Sequence, residues 1–215
     1  MPSADRLEKL EQGIENAIED AKGSYGGRYL HLRLILRYIH RTLCGTGMRI
    51  SEALYLTTDH VDFDDMTITV EGAVVEGEPG LTKTGKRLGS REAGTRIIPM
   101  TEQVAETIRE WLELREEHDY PPEAECNTIF CRRDGSYYTD DQIRSYYKRA
   151  CSKAKKMKGS ITPHQLRHWF NDQLRKAGVS SEVREAMLGH ADAETNAGYT
   201  SVKALEGRSV INDLI

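Results

Sequence analysis

Cysteine, proline and long apolar runs are all scarce in this chain, and each scarcity removes a class of protein. The four cysteines, Cys44, Cys126, Cys131 and Cys151, form no C-x-x-C pair. The one close pair, Cys126 and Cys131, is spaced poorly for zinc or for a redox dithiol, so all four are read as free thiols and no metal or other cofactor is expected. No apolar run approaches the roughly 18 residues needed to cross a bilayer. The N-terminus, MPSADRLEKLEQG, carries acids where a signal peptide has its apolar segment. A cytoplasmic location with no membrane partner is therefore expected. Six prolines accompany 38% hydrophobic and 30% charged residues over 215 positions, the composition of a globular domain rather than of a disordered or fibrous chain. An excess of positive charge is also missing. Thirty Lys and Arg stand against 34 Asp and Glu, a formal charge of -4, and the sum alone argues mildly against a nucleic-acid partner.

The distribution of charge points the other way. Between Gln142 and Asn171 there is no acid, while Arg144, Lys148, Arg149, Lys153, Lys155, Lys156, Lys158 and Arg167 are basic. Such a zone inside an acidic chain is a candidate track for DNA phosphates, against the plainer reading of a solvated helix face. The compensating acids gather at 5–20 and 102–125, in Glu-rich helical stretches free to face solvent.

Periodicity outlines a mainly helical chain. Leu7, Leu10, Ile14, Ala17 and Ile18 recur at helical spacing before the break GSYGG at 23–27, so this first helix reads as separable. Residues 28–44 are apolar almost all round and read as a buried helix ended by Gly45 and Gly47. A short helix is expected over 50–57. MTITV at 66–70, GAVV at 72–75 and TRIIPM at 95–100 cluster β-branched residues between turn formers, which predicts a small antiparallel sheet. Thr101 is placed to cap a helix through Glu117, Thr139 another through about Lys156, and Thr162-Pro163 to open a third. Two short helices are expected over 180–188 and 192–206. The fold class is mainly α with a small three-stranded antiparallel β-sheet, an α+β arrangement.

The segment TPHQLRHWF at 162–170 carries the most chemistry. Thr162 is an N-cap, Pro163 fits the first helical position and Gln165 completes a capping box. His164, Arg167 and His168 then share one face, while Leu166, Phe170, Leu174 and Ala177 supply the apolar one. His164 and Arg167 project together beside a helix N-terminus that itself favours a phosphate. Singly, each candidate has a bland explanation: Arg49 a surface charge, His190 a helix-ending residue, Tyr199 one of ten tyrosines. Order and spacing make the case.

Four segments in order, GTGMRISEAL (45–54), LTKTGKRLGSREAGTRIIPM (81–100), TPHQLRHWF (162–170) and LGHADAETNAGYTSV (188–202), resemble the tyrosine recombinases, over roughly residues 28–203. The specific parts are GTGxR-SE, H-x-x-R-H, and L-G-H followed nine residues after the His by Tyr. The resemblance implies that Arg49 and Arg167 grip the non-bridging oxygens of a scissile phosphate. A guanidinium presents a planar fork to phosphate and stays charged, where lysine is a point charge. Two of them stabilise a pentavalent transition state, a task other nucleases give to metals, so the implied enzyme needs neither metal nor ATP. Tyr199 is implied as the nucleophile, leaving a 3'-phosphotyrosyl bond and a free 5'-hydroxyl. Its phenol, ordinarily near pKa 10, needs nearby cations or a base. Lys83 resembles the family's lysine on a mobile hairpin that protonates the departing 5'-oxygen, with Lys86 as the alternative. His190 is implied to hydrogen-bond the phosphate, and His164 to help position it and take the tyrosine proton. Glu52 holds a buried partner or acts directly. His168 and Trp169 are assigned to packing and orientation.

The implied activity is site-specific DNA recombination on double-stranded DNA, by a homo-tetramer on paired sites and a monomer in free solution, associated with the nucleoid when bound. Integration, excision, dimer resolution and mobile-element transfer all share this chemistry, and no base-reading code identifies the DNA site. The expected organisation is an N-terminal helix or linker at 1–24, the catalytic domain at 25–203 and a tail at 204–215. The usual N-terminal clamp domain is expected to be absent, in a fragment or in a minimal enzyme. Gly198, before the nucleophile, suggests a mobile tyrosine segment. Leu205, Val210, Ile211 and Leu214 make the tail amphipathic, for a neighbouring protomer or for its own core. The rivals are a type IB topoisomerase, with a similar residue set, and a catalytically idle DNA-binding protein on the same scaffold.

Overall fold

The structure is a computed structural model and describes residues 1–23, 30–117, 128–189 and 205–211. Its centre is the helix read as apolar almost all round, which carries one polar stripe, Arg33, Arg37 and Arg41. This is α2 (Leu30–Thr46), with Leu34, Ile35, Leu36, Tyr38, Ile39 and Leu43 all buried. Around it lie α1 (Ala4–Lys22), α6 (Glu102–Glu117), α7 (Asp140–Lys153) and α8 (Pro163–Lys176), each packed on α2. The helix starts are written in the sequence. Thr139 accepts from the backbone N–H of Gln142 while Gln142 answers to the backbone of Thr139, and Thr162 and Gln165 repeat the arrangement at α8 behind Pro163. The helix capped by Thr139 ends at Lys153, three residues before the expected Lys156.

Two expectations need correction. The N-terminal helix is not separable: Leu7, Leu10, Ile14 and Ile18 belong to the same core as α2 and Trp111. A β-carbon on Gly13 would stand 2.3 Å from the carbonyl oxygen of Ala150, so α1 and α7 meet almost backbone to backbone. The sheet also has a different membership. Its three antiparallel strands are β1 (Val61–Asp62), β2 (Thr67–Val70) and β5 (Arg96–Pro99), in the order β1-β2-β5, with Ile68 opposite Ile98. The segment at 72–75 forms β3 (Gly72–Val75), which pairs instead with β4 (Glu78–Leu81). Between them Glu76 and Gly77 both have positive φ, 55° and 88°, as a two-residue type I′ hairpin turn requires, so β3 folds back at once on its successor.

After β4 the chain is helical. Thr82 accepts from the N–H of Gly85 and caps α4 (Lys83–Leu88), and α5 (Arg91–Gly94) packs beside it before β5. Lys83 therefore starts a helix instead of sitting on a hairpin, because charged residues behind a threonine cap offer no β alternation. The helix expected over 50–57 is shorter, as α3 (Ile50–Ala53). The α9 helix (Ser181–Leu188) is capped by Ser180, and α10 (Arg208–Ile211) buries Ile211 against Phe170, Leu174 and Val183 of the same chain. Most of the helix expected over 192–206 lies outside the described residues. Cys44 and Cys151 are free, as expected, whereas Cys131 is disulfide-bonded, contrary to the reading of four free thiols.

Leu10→Ala removes a fully buried side chain from the shared core, and the expected loss of stability is about 2–4 kcal/mol. Denaturant unfolding followed by far-ultraviolet circular dichroism should show one transition moved to lower denaturant. A separate early step with the main midpoint unchanged would restore α1 to the status of an appendage.

Candidate functional site

The site is organised by a carboxylate. Glu52, on α3, has no exposed side-chain surface and takes hydrogen bonds from two arginines. Arg96 Nη2 donates to its Oε2 at 2.8 Å and Nη1 to Oε1 at 3.3 Å, while Arg49 Nη1 donates to Oε1 at 2.8 Å. Glu52 Oε2 also receives the backbone N–H of Arg49, at 2.9 Å, which fixes the start of α3. Burial pushes the carboxyl pKa up, but the charge and hydrogen bonds of Arg96, then the charges of Arg49 and Arg167, outweigh it and hold it at about 2. The expectation that Glu52 holds a buried partner thus fits its two arginines.

Arg167 leaves α8 and runs inward. Its Nη1 donates to the Gly47 carbonyl at 2.9 Å and its Nη2 to the Leu188 carbonyl, and only 4% of the residue is exposed. Burial, and next the charge of Arg49, lower its pKa to about 9, with Glu52 opposing. Three cationic or polar side chains end on successive carbonyls where α9 stops: Arg96 Nε on Met187 at 2.9 Å, Arg167 on Leu188, and Thr84 Oγ1 on Gly189 at 2.8 Å. A helix C-terminus leaves its last carbonyls unsatisfied and carries partial negative charge, so it suits these donors. Gly189 adopts φ 68° there, and a β-carbon would stand 3.0 Å from Arg96 Nη1.

Arg49, Lys83, Thr84, Lys86, Arg87 and Gly189 line a cavity of about 540 Å³ beside this core. Both candidate lysines reach it, and among the described residues its lining holds no carboxylate. On the outer face of α8, His164 Nε2 and His168 Nε2 lie 2.9 Å apart, so a single proton sits between them. Partial burial lowers the His164 pKa, helped by the charges of His168, Arg167, Arg49 and Arg144, which places His164 within electrostatic reach of both arginines. His168 is exposed beside His164, while Trp169 packs between the two clusters. His190, Gly198 and Tyr199 lie outside the described residues. His190 nonetheless directly follows the tethered Gly189 carbonyl.

The basic zone divides. Arg144, Lys148, Arg149, Lys153, Lys155 and Lys156 are all exposed. Arg144 pairs with Asp140 at 2.9 Å and bears on His164, whereas Arg149 and Lys153 face α1 and α2, with Lys153 paired to Asp20 at 2.7 Å. The residues missed from sequence are Arg96 and Thr84. Arg96 had a visible signal: it shares strand parity with Ile98 and Met100, both buried, and a charge at a core position needs a partner.

Glu52→Gln should destabilise the chain by about 3–5 kcal/mol at pH 7, because it strands buried arginines. A carboxyl held at about 2, below its ordinary value of 4.5, stabilises fully above 4.5 and loses that contribution as pH falls through 2. The stability gap between wild type and variant, measured by urea unfolding, should therefore narrow as pH falls from 5 towards 2. A gap independent of pH would mean that Glu52 is not ionised in the fold.

The sequence pattern of the phage integrase family matches residues 18–206. The chain is 26% identical over 194 residues to tyrosine recombinase XerC of Corynebacterium glutamicum, covering 89% of this chain and 53% of that protein. It is 29% identical over 185 residues to tyrosine recombinase XerA of Thermococcus kodakarensis, covering 83% and 57%. It thus spans little more than half the length of these relatives. The fold superposes on the Tn1549 transposon integrase, solved in complex with circular intermediate DNA, with a TM-score of 0.64 at 22% identity, over 97% of this chain and 66% of that one. XerA recombinase gives a TM-score of 0.62 at 21% identity, over 99% and 61%. With the family pattern across most of its length, and with Arg49, Glu52 and Arg167 gathered at one cationic site, the chain belongs to the phage integrase family, the tyrosine recombinases.

Proposed function

We propose that this chain is the catalytic part of a site-specific DNA recombinase that cuts and rejoins double-stranded DNA through Tyr199. The observation that carries it is the cationic cavity lined by Arg49, Lys83, Lys86 and Arg87, with no carboxylate among the described lining residues, backed by Arg167 and Arg96. Preorganised guanidinium groups in a water-poor site stabilise the charge that develops on a phosphoryl group under attack. The Tyr199 oxygen attacks the phosphorus as the bond to the 5'-oxygen breaks. The phenol proton passes to His164, and the leaving oxygen takes one from Lys83, or from Lys86 three residues on. His190 hydrogen-bonds the phosphate. The phosphoester is exchanged instead of hydrolysed, so a 5'-hydroxyl from a second strand reverses the step without ATP, and the arginines do the charge work for which other nucleases use a metal. Monomers in free solution assemble as a homo-tetramer on paired DNA sites. The positive track of Arg144, Lys148, Arg149, Lys153, Lys155 and Lys156 supports flanking duplex.

A nicked duplex carrying the cognate site should trap a protein–DNA adduct with the wild type and none with Tyr199→Phe, read on a denaturing gel. An equal adduct yield would remove Tyr199 as the nucleophile. Resolution of a junction, as against relaxation of a supercoiled plasmid, separates a recombinase from a topoisomerase. Lys83→Ala should slow cleavage of ordinary DNA by about 10²-fold or more, and much less that of a substrate with a 5'-sulfur leaving group, which needs no proton. Equal losses on the two substrates would move the acid elsewhere.

A further inference from the structure

A second concentration of positive charge lies away from the catalytic cavity, between α1, α2 and α7. Arg33 on α2 and Arg149 on α7 line a cavity of about 240 Å³ together with Lys153, Ser152 and Asp20. Arg33 Nη1 is shut off from solvent and has no hydrogen-bond partner. Burial, and next the charge of Arg149, lower the Arg33 pKa, while the Tyr146 ring lies 5.9 Å from its guanidinium carbon. Asp20 is the only carboxylate among the described lining residues, and it pairs with Lys153 at 2.7 Å. Ser152 Oγ donates to the Arg149 carbonyl. Among the described residues no acid pairs with either guanidinium, so two like charges share one cavity uncompensated.

A buried N–H without an acceptor is unfavourable, and a facing cation adds repulsion. An oxyanion between the two guanidinium groups removes the repulsion. A guanidinium fork matches the tetrahedral oxygens of phosphate, and the volume exceeds several times the roughly 30 Å³ that one water occupies in the liquid. We propose that Arg33 and Arg149, with Lys153 at the rim, form a second anion site that takes a single phosphate group, distinct from the catalytic cavity. The phosphate comes either from the backbone of bound duplex or from a free phosphate. Only the first source rests on the DNA reading above.

Thermal unfolding of the full chain at constant ionic strength, with chloride exchanged for inorganic phosphate, tests the site without DNA. The catalytic cavity contributes to wild type and variant alike, so the difference isolates Arg33 and Arg149. Wild-type Tm should rise about 2–4 °C more than that of Arg33→Gln/Arg149→Gln at phosphate several-fold above its Kd. In chloride the double variant should melt no lower than wild type, since it loses a repulsion. Arg149→Gln alone, on an exposed face, should lose most of the phosphate response. Equal responses in all three proteins, or a double variant several degrees less stable in chloride, would overturn the site in favour of a structural role against Tyr146. Binding to a duplex without a cognate site, titrated against salt, identifies the source. A slope of log K on log salt shallower by about one in the double variant assigns the phosphate to the DNA backbone. An unchanged slope with the thermal response lost assigns it to free phosphate. Failure of the Tyr199 adduct would leave both results standing.

Discussion

An ionised carboxylate with no access to water is unfavourable by several kcal/mol unless donors surround it, and Glu52 meets that requirement in a way that fixes three separate pieces of chain. Arg96 comes from the sheet, Arg49 from the entry to α3, and the carboxylate from α3 itself. Because Arg96 also holds the Met187 carbonyl, the end of α9 is tied to the same point. Moving any one of these elements by an ångström would leave a buried charge without its partner. The geometry of the site is therefore set by electrostatic necessity as much as by apolar packing.

The charges do not cancel. Three arginines surround one carboxylate, and the surplus is visible in Arg167, whose pKa falls to about 9 under burial and the field of Arg49. A depressed arginine means that the folded chain holds positive charge at some expense to its own stability, and an anion in the cavity would relieve it. Sites that stabilise a transition state are commonly built this way, with the protein carrying strain that the reacting group releases. The pair Arg33 and Arg149 shows the same imbalance on a smaller scale, with no acid paired to either among the described residues.

Much of this was legible in the residues, for local reasons. Capping boxes at Thr139 and Thr162 act over three residues, and the density of apolar residues in α2 needs no knowledge of its neighbours. Arg49, His164 and Arg167 were drawn to one site by the resemblance that their segments, in that order, bear to the tyrosine recombinases. Features that depend on pairing were not legible. The partner of β3 was decided by the backbone of Glu76 and Gly77, which closes a hairpin at once, and composition does not reveal which strand lies alongside. Arg96 is the more instructive miss. Its parity with Ile98 placed it in the core, but its meaning depended on Glu52, 44 residues away in sequence and adjacent in space.

Arg96 and Arg167, behind the cavity, are also the caps of a helix, and this bears on how their substitution is to be interpreted. Arg167 bridges Gly47 and Leu188, joining the loop before Arg49 to the end of α9, and Gly189, the next residue, is held by Thr84. A lysine at 167 keeps the charge, but its single ammonium cannot reproduce the spread of a planar fork across two carbonyls from different elements. Loss of activity in such a variant would then combine a weaker hold on phosphate with a freed helix end directly before His190. The two contributions have different signatures. A freed helix end lowers stability whether or not an anion is present, whereas a weakened phosphate grip shows only when the anion is bound.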